Sequence, residues 1–390
     1  MPSKKHPTVW EAEPHTIAKV TILKAYLTAW FQIMGRKMPG KDLIYVDGFA
    51  GPGRYTNHPE GSPIAALRAA ATSRSSSSMA WKAGAIRCIF IEQDHDRFLH
   101  LVDHVAPFQS VSGLIIEDPL NAPFVDGMAQ LKGRMPELAM SPIFAFIDPF
   151  GATGVPFSIV VEILQNPKAE VLINLDADGI ARIVRAAHVG SNGSNLDEIF
   201  GDRSWMSAIP LTTTFEEQCR VILDLYRSKL RTLPGVKYTF PFEMRSRTDA
   251  LQYYLLFASQ HHLGLEKMKE AMKTIDSSGA YCFSDGHVGE ARLFRFDHPE
   301  NYSRQMFDHF RAQHVPFDIV RDYVLNETPF ITPNRILKSL EQQTKIDVLS
   351  NDPMRRRGTF PDGTIDHIKF HQTWEPDAAS TTTPTQLTLC

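Results

Sequence analysis

The chain has 390 residues, 43% hydrophobic and 22% charged, which is enough apolar material for the cores of two or three globular domains. The formal net charge of −3 excludes a uniformly basic surface, so any contact with nucleic acid must use a local patch. The four cysteines are widely separated without CxxC spacing and the histidines form no HExxH motif, which disfavours a disulfide framework or a metal site. We expect a cytoplasmic protein without a metal, because the polar start is no secretory leader and no apolar run could span a membrane.

The first predicted element is an amphipathic helix. Apolar residues recur with helical spacing over Thr16–Met34, and we assign residues 1–40 to a helical segment packed on a larger body. Short apolar runs then alternate with helical segments. The predicted strands are Leu43–Phe49, Ile86–Glu92, Gly113–Glu117, Ile143–Asp148 and Val171–Leu175. The predicted helices are Ser62–Ala71, Asp96–Val105, Phe124–Lys132 and Phe157–Leu164, and the serine-rich segment Thr72–Ser78 is predicted to be a loop.

This alternation is typical of a parallel sheet covered by helices on both faces, which binds ligands at the carboxyl ends of its strands. Further along, we predict a loop-rich insertion, a helix, a hairpin and a closing helix. These are His188–Trp205, Phe215–Leu230, the pair Lys237–Met244 and Leu251–Phe257, and Glu266–Ile275. Five parallel strands followed by an antiparallel pair predict a Rossmann-like sheet of the class I methyltransferase type over residues 41–280.

Residues 281–375 are predicted to form a separate winged-helix domain. Phe317–Leu325 is helical, Thr328–Leu349 contains a second amphipathic helix, and Phe360–Phe370 is predicted to form a strand pair around Asp362-Gly363. Residues 376–390 are predicted to be a disordered tail. Five basic residues are candidates for phosphate contacts, although a solvated basic loop on a protein-binding module explains them equally well. They are Arg335, Lys338, Arg355, Arg356 and Arg357.

The first predicted strand ends in the sequence DGFAGPG, Asp47 to Gly53. Its glycines form either a tight structural turn or a backbone that a ligand can approach closely. The spacing is not the GxGxxG of a nicotinamide site, which disfavours an oxidoreductase. It resembles the D-x-F-A-G-x-G motif of methyltransferases that act on DNA and RNA bases. The resemblance implies that S-adenosylmethionine (SAM) is bound by Asp47, Gly48, Phe49, Ala50, Gly51 and Gly53.

Carboxylates also follow the next strands. Glu92 is placed to accept hydrogen bonds from the ribose hydroxyls and Asp118 from the adenine amino group of the cofactor. Asp148-Pro149-Phe150-Gly151 resembles the D/N-P-P-Y/F motif of amino-methyltransferases and the DPFG of tRNA guanine-N2 dimethyltransferases. We predict that Asp148 accepts an N–H of the acceptor amine, Pro149 fixes the chain and Phe150 stacks on a base. The single proline leaves the methylated atom open, and a simple strand-to-turn exit is the structural alternative.

Taken together, YVDGFAGPG, GSPIAAL, FIEQD, FIDPFG, VLINLDADGI and EKMKEAMK resemble the three-Cys-motif partner protein family (TcmP) over residues 10–275. The resemblance implies a methyltransferase-like fold and association with a radical-SAM-like protein that carries a three-cysteine motif. The leading hypothesis is a SAM-dependent methyltransferase that acts on a base amine of a nucleic acid. The alternative is a non-catalytic SAM-binding regulatory protein whose winged helix binds DNA or a partner protein.

Overall fold

The structure is a computed structural model that describes residues 7–76, 80–191, 193–211, 213–290, 295–361 and 363–374. The described chain forms two compact units. The first contains the residues up to Ile275 together with Cys282–Glu290, and the second contains Asp276–Tyr281 and the described residues from 295 onward. None of the helices in these ranges is both long and apolar enough to cross a membrane.

A mixed sheet forms the centre of the first unit. Its strand order, over the described residues, is β3-β2-β1-β4-β5-β7-β6-β8. Strands β1 to β5 are parallel, whereas β7 is antiparallel to both β5 and β6. This arrangement confirms the predicted Rossmann-like sheet with the layout of class I methyltransferases. The strands are β1 (Leu43–Asp47), β2 (Ile86–Phe90), β3 (Leu114–Ile116), β4 (Ile143–Ile147), β5 (Ala169–Leu175), β6 (Tyr238–Arg245), β7 (Leu251–Ser259) and β8 (Cys282–Ser284).

Helices of the first unit pack on this sheet and bury its central strands, so that every residue of β1 and β4 is buried. Burial on both faces explains why these strands are continuous apolar runs rather than alternating patterns. The helices are α1 (Pro14–Lys37), α2 (Ser62–Ser76), α3 (His95–Val105), α4 (Phe124–Arg134), α5 (Phe157–Leu164), α6 (Ala177–His188), α7 (Ser194–Phe200), α8 (Trp205–Ala208), α9 (Phe215–Arg231) and α10 (His262–Met272).

Helix α1 covers the predicted segment Thr16–Met34 and packs against α2 and α10. It starts with Pro14 at its first position, where the missing N–H of proline costs no helical hydrogen bond. Its large side chains Tyr26, Trp30 and Phe31 are almost completely buried. The predicted packing of the N-terminal helix on a larger body is therefore confirmed.

One loop prediction in the first unit was wrong, and a second predicted loop-rich segment contains a short helix. The segment Thr72–Ser78 was predicted to be a loop, but α2 continues to Ser76, and residues 77–79 lie outside the described chain. Ser73 is fully buried there and donates a hydrogen bond to the Thr28 carbonyl on α1, so packing overrides the low helix propensity of serine. The segment His188–Trp205 contains α7, which tertiary packing stabilises through its buried apolar side chains.

The second unit begins with a helix that the sequence pattern did not indicate. Its elements are α11 (Pro299–Phe310), β9 (His314–Pro316), α12 (Phe317–Glu327), α13 (Asn334–Gln342), β10 (Ile346–Ser350) and β11 (Ile365–Phe370). The three strands form an antiparallel sheet in the order β10-β11-β9. One face of each element contributes to a separate apolar core that includes Phe307, Val320, Leu337 and Ile368.

The ends of the elements in this unit differ from the prediction. The helix predicted within Thr328–Leu349 ends at Gln342. The last four residues of that predicted segment, Ile346–Leu349, belong instead to β10, where buried and less buried side chains alternate. The strand pair predicted within Phe360–Phe370 is a single strand, β11, whose partner is β10. Asp362 and residues 375–390, including the predicted disordered tail, lie outside the described chain. Cys282–Ser284 pairs with β6, so the boundary predicted at residues 280/281 differs from the observed units.

Candidate functional site

Three of the predicted strand-end carboxylates lie at one edge of the large sheet. Asp47 ends β1, Glu92 lies two residues beyond β2, and Asp148 directly follows β4. Because β1 pairs in parallel with both β2 and β4, the carboxyl ends of these three strands adjoin. The glycine loop, Gly48–Gly53, leaves β1 at this edge. Ligands of open α/β sheets bind at this position.

Two small cavities adjoin at this edge and share Phe49 and Phe150 in their walls. The larger, which we call the strand-end cavity, has a volume of about 70 Å³. The smaller, which we call the side cavity, has a volume of about 10 Å³. The glycine loop contributes to both. The strand-end cavity is lined in addition by Trp10, Thr16, Lys19, Tyr55, Asp148 and others, and the side cavity by Ile91, Glu92, Gln93, Ala122 and Phe124.

The glycines of the loop are required for two different reasons. Gly51 and Gly53 have φ values of +62° and +83°, in the left-handed region that favours glycine. A Cβ on Gly51 would meet no atom within 4 Å, so the backbone there faces open space in the cavity wall. A Cβ on Gly48 would instead lie 2.6 Å from the ring of Phe124. The loop is thus both a tight turn and an accessible backbone surface.

Glu92 joins the glycine loop to the end of β2. Its two carboxylate oxygens accept hydrogen bonds from the backbone N–H groups of Gly51 and Asp94, both at 2.8 Å. The side chain is almost fully buried, and this burial raises the pKa of the Glu92 carboxyl above its usual value, against the lowering effect of those two hydrogen bonds. Each oxygen retains a second lone pair, so the carboxylate can accept further hydrogen bonds from a ligand in the side cavity.

Asp47 lies behind the loop rather than in a cavity wall. Its carboxylate is completely buried and accepts hydrogen bonds from the Tyr45 hydroxyl at 3.2 Å and the Phe49 N–H at 3.3 Å. Desolvation raises the pKa of the Asp47 carboxyl to about 7. The structure therefore shows Asp47 bound to the loop backbone and to the Tyr45 side chain, and it places Asp47 outside the lining of both cavities.

Asp118 also differs from its predicted role. β3 ends at Ile116, and the side chain of Asp118 is exposed and outside the walls of both cavities. The chain instead reaches the side cavity at Ala122 and Phe124. No strand-end pattern marks these two residues, because Ala122 lies in the turn before α4 and Phe124 is the first residue of that helix.

Asp148 is held by two side chains that the sequence analysis did not single out. Lys19 Nζ lies 2.5 Å from Oδ2, and Asn174 Nδ2 donates to Oδ1 at 2.7 Å. Lys19 comes from α1 and Asn174 from β5. The sequence did contain one signal for the role of Lys19. It lies four residues before Leu23, on the apolar face of the predicted helix, and a buried lysine requires a partner for its charge.

An aromatic cluster borders the strand-end cavity. Phe150 is 62% exposed as a residue, and Trp10 packs edge-on against both Phe150 and Tyr55, with ring centroids 5.8 Å and 5.7 Å apart. The Arg97 guanidinium lies 4.6 Å from the Trp10 ring and 5.0 Å from the Phe150 ring. Pro149, which precedes Phe150, is buried. Exposed aromatic faces of this kind stack on planar ligands.

Three of the five candidate phosphate-binding residues in the second unit are tied into its structure. Arg355 forms an ion pair with Glu341 at 2.8 Å in which both side chains are about nine-tenths buried. Arg357 donates to the Glu341 carbonyl, and Arg335 lies 3.3 Å from Asp297. The remaining two are exposed and form no ion pair within the described chain. They are Lys338 and Arg356.

A further cavity of about 160 Å³ lies away from this edge, between α1, the start of β5 and α10. The buried Glu170 in its wall accepts hydrogen bonds from Tyr26 at 2.5 Å and Ser259 at 2.8 Å. No glycine loop or strand-end carboxylate lines it. We therefore place the candidate site at the strand-end and side cavities, although this cavity is larger.

Glu13, His15 and Asp285 approach one another within 4.8 Å at the start of α1. Asp285 Oδ1 accepts a hydrogen bond from the backbone N–H of His15, and Asp285 Oδ2 lies 2.7 Å from the ring Nδ1 of the same histidine. These contacts hold the start of α1, and thereby Thr16 and Lys19, beside the segment that follows β8.

No protein-family model matches the chain, and no curated protein matches it. Among solved structures, it is similar to an O-methyltransferase from Bacillus cereus in complex with SAH, with 11% identity, a TM-score of 0.33, and 60% of this chain and 80% of that chain covered. It is also similar to a protein from Legionella pneumophila, with 12% identity, a TM-score of 0.36, and coverage of 66% and 91%. The strand order of the large sheet is the observation that defines the fold.

Proposed function

We propose that the protein is a SAM-dependent methyltransferase. One observation supports this proposal above all: the glycine loop, Glu92 and Asp148 line adjoining cavities at the carboxyl edge of the large sheet. The strand order of that sheet is the one typical of class I methyltransferases. The loop and Glu92 are parts of a cofactor site, and Asp148 faces the position of an acceptor. No metal or covalent intermediate is required, because alignment of the reacting atoms is the main contribution of such a site.

The residues present fit SAM at two points. The open space above Gly51 is available to the methionine part of the cofactor, and the Glu92 carboxylate can accept hydrogen bonds from ribose hydroxyls. Phe49 and Ala50, together with Gly48, Gly51 and Gly53, would complete the binding surface. When bound, SAM supplies an electrophilic methyl group on a sulfonium.

We further propose that the acceptor is an amine on a planar base of a nucleic acid. Asp148 would accept an N–H of this amine, which turns the nitrogen lone pair toward the methyl group. As the new N–C bond would form, the bond between the methyl group and sulfur would break and leave S-adenosylhomocysteine (SAH), and the Asp148 carboxylate would receive the proton that the nitrogen loses. The exposed ring of Phe150 beside Trp10 supports a planar acceptor, since such a surface favours stacking.

Calorimetric titration with SAM tests the cofactor, and transfer of a labelled methyl group to separate tRNA, rRNA and DNA pools tests the acceptor. We expect SAM binding in the wild type and weaker binding in Glu92→Gln, with label in at least one pool. Absence of SAM binding would refute the proposed activity. Binding without transfer to any pool would favour the second candidate function.

That second candidate is a non-catalytic SAM-binding regulatory protein. One observation favours it, namely that both oxygens of Asp148 already accept from Lys19 and Asn174. We also propose that the second unit is a winged helix, because its order of helix, strand, two helices and two strands is that of this class. Its partner would be nucleic acid, through Lys338 and Arg356, or a radical-SAM-like protein with a three-cysteine motif, in the cytoplasm.

A further inference from the structure

The large sheet carries a second cavity, at the edge opposite the candidate site, that the proposed function does not use. This is the cavity of about 160 Å³ described above, which we call the amino-edge cavity. It lies where β5 begins, at Ala169, and where the antiparallel β7 ends, at Ser259. Because β5 runs parallel to β4 and β1, the start of β5 lies at the amino edge of the sheet, away from the strand-end and side cavities.

Apolar side chains form most of the wall of the amino-edge cavity. Tyr26, Trp30, Ile33 and Met34 come from α1, and Leu263 comes from α10. An apolar cavity of about 150 Å³ holds a single benzene ring. The thioether of Met34 adds a polarizable group that makes favourable contacts with aromatic rings. The amino-edge cavity therefore fits one aromatic ring.

Three lysines line the same cavity, namely Lys37, Lys168 and Lys267. Lys37 is exposed and Lys168 is half-buried, and neither forms an ion pair with another described residue. Lys267 lies 2.7 Å from Glu270, so its charge is shared. The ammonium groups of Lys37 and Lys168 are thus available to an anion that is held beside the apolar wall.

The acidic side chain in this wall, Glu170, does not reverse that charge. Its Oε2 accepts a hydrogen bond from the Tyr26 hydroxyl at 2.5 Å, and its Oε1 accepts one from the Ser259 hydroxyl at 2.8 Å. Burial raises the pKa of the Glu170 carboxyl above its usual value, against the lowering effect of its hydrogen bonds, and so favours the neutral form. Even an ionised Glu170 would oppose three lysines with one negative charge.

We infer that the amino-edge cavity binds a small aryl carboxylate, with its ring among the apolar side chains and its carboxylate beside Lys37 and Lys168. A carboxylate without a ring would leave the apolar wall unoccupied, and a ring without a charge would leave the ammonium groups unpaired. The inference does not depend on the proposed function, because the glycine loop, Glu92 and Asp148 lie outside this cavity.

The test compares four probes by calorimetry on the wild-type protein: phenylacetate, the neutral 2-phenylacetamide of the same shape, the cation 2-phenylethylammonium, and acetate. We expect phenylacetate to bind with a Kd of about 1 mM or lower. It should bind at least about fivefold more tightly than 2-phenylacetamide, because hydrogen bonds to a charged acceptor are stronger than neutral ones. Acetate and 2-phenylethylammonium should bind more weakly than both. No binding of phenylacetate, equal binding of phenylacetate and 2-phenylacetamide, or equal binding of phenylacetate and acetate would overturn the inference.

Lys37→Met combined with Lys168→Met removes both available ammonium groups and keeps unbranched side chains. We expect the preference of this double variant for phenylacetate over 2-phenylacetamide to fall below about twofold, while its affinity for 2-phenylacetamide stays that of wild type. The matched control combines Lys41→Met with Lys82→Met, which changes the net charge equally at two exposed positions outside the cavity wall and should keep the preference. A preference retained in the first variant, or lost equally in both, would overturn the inference. Urea unfolding checks that the variants fold, and if the first does not, Lys37→Met alone decides, since that side chain is exposed and its loss should still reduce the preference.

Discussion

Replacing Asp47 with asparagine should change how the stability of the protein depends on pH. The carboxyl is completely buried and its pKa is raised to about 7 by desolvation, from an ordinary value of 3.8. The folded state therefore binds more protons than the unfolded state between these two values, so the free energy of unfolding falls as the pH rises through this window. At about 1.4 kcal/mol per pKa unit, the buried charge costs roughly 4 kcal/mol above the upper value.

Asp47→Asn retains an oxygen that can accept the Phe49 N–H and removes the titration. Between about pH 5 and about pH 8, the stability of this variant relative to wild type should rise by roughly 2.5 kcal/mol. Urea unfolding curves at several pH values measure this difference, and the difference cancels the contributions of other raised carboxyls such as Glu92. Asp118→Asn, at an exposed position, is the control and should follow wild type. Parallel pH profiles for Asp47→Asn and wild type would refute the reasoning.

Three further outcomes are expected. Glu92→Gln should weaken SAM binding at least about tenfold in calorimetry, whereas Asp118→Asn should not change it; equal effects would remove Glu92 from the cofactor site. Asp148→Ala should abolish methyl transfer to nucleic-acid pools and preserve SAM affinity, and a merely twofold loss of activity would make it a structural residue. Replacing Lys338 and Arg356 with alanine should reduce the slope of log binding constant against log salt concentration by about two, as measured for nucleic acid by fluorescence anisotropy. An unchanged slope would indicate that the second unit binds protein instead.

The strand-end pattern predicted that these carboxylates lie at one edge of the sheet, because it depends on local periodicity and a general property of parallel sheets. Glu92 follows β2 and Asp148 follows β4, and both of these buried strands pair directly with β1. The proximity of the two carboxylates can therefore be predicted without knowledge of side-chain packing. The same pattern could not distinguish a carboxylate in a cavity wall from one behind it. Asp47 is buried because the loop folds over it, and this depends on the hydrogen bond from Phe49.

Residues distant in sequence were beyond the reach of this reasoning. Lys19 meets Asp148 only because α1 packs against the core, and its apolar neighbours dominate the helical pattern. In the second unit, Ile346–Leu349 lies at the end of the segment Thr328–Leu349, whose pattern predicts an amphipathic helix, but it belongs to β10. Pairing with β11 overrides this local preference, because a five-residue segment has little intrinsic preference to resist tertiary hydrogen bonds.

The contribution of α1 to the strand-end cavity has a consequence for how such proteins can diversify. The loop and Glu92 belong to the chain after residue 40, while Trp10, Thr16 and Lys19 belong to the chain before it. The two halves of the site are therefore encoded in separate stretches of sequence. Changes confined to the first forty residues can alter one wall of the strand-end cavity without altering the glycine loop or Glu92. Loss of α1 would remove Lys19, the charged partner of Asp148.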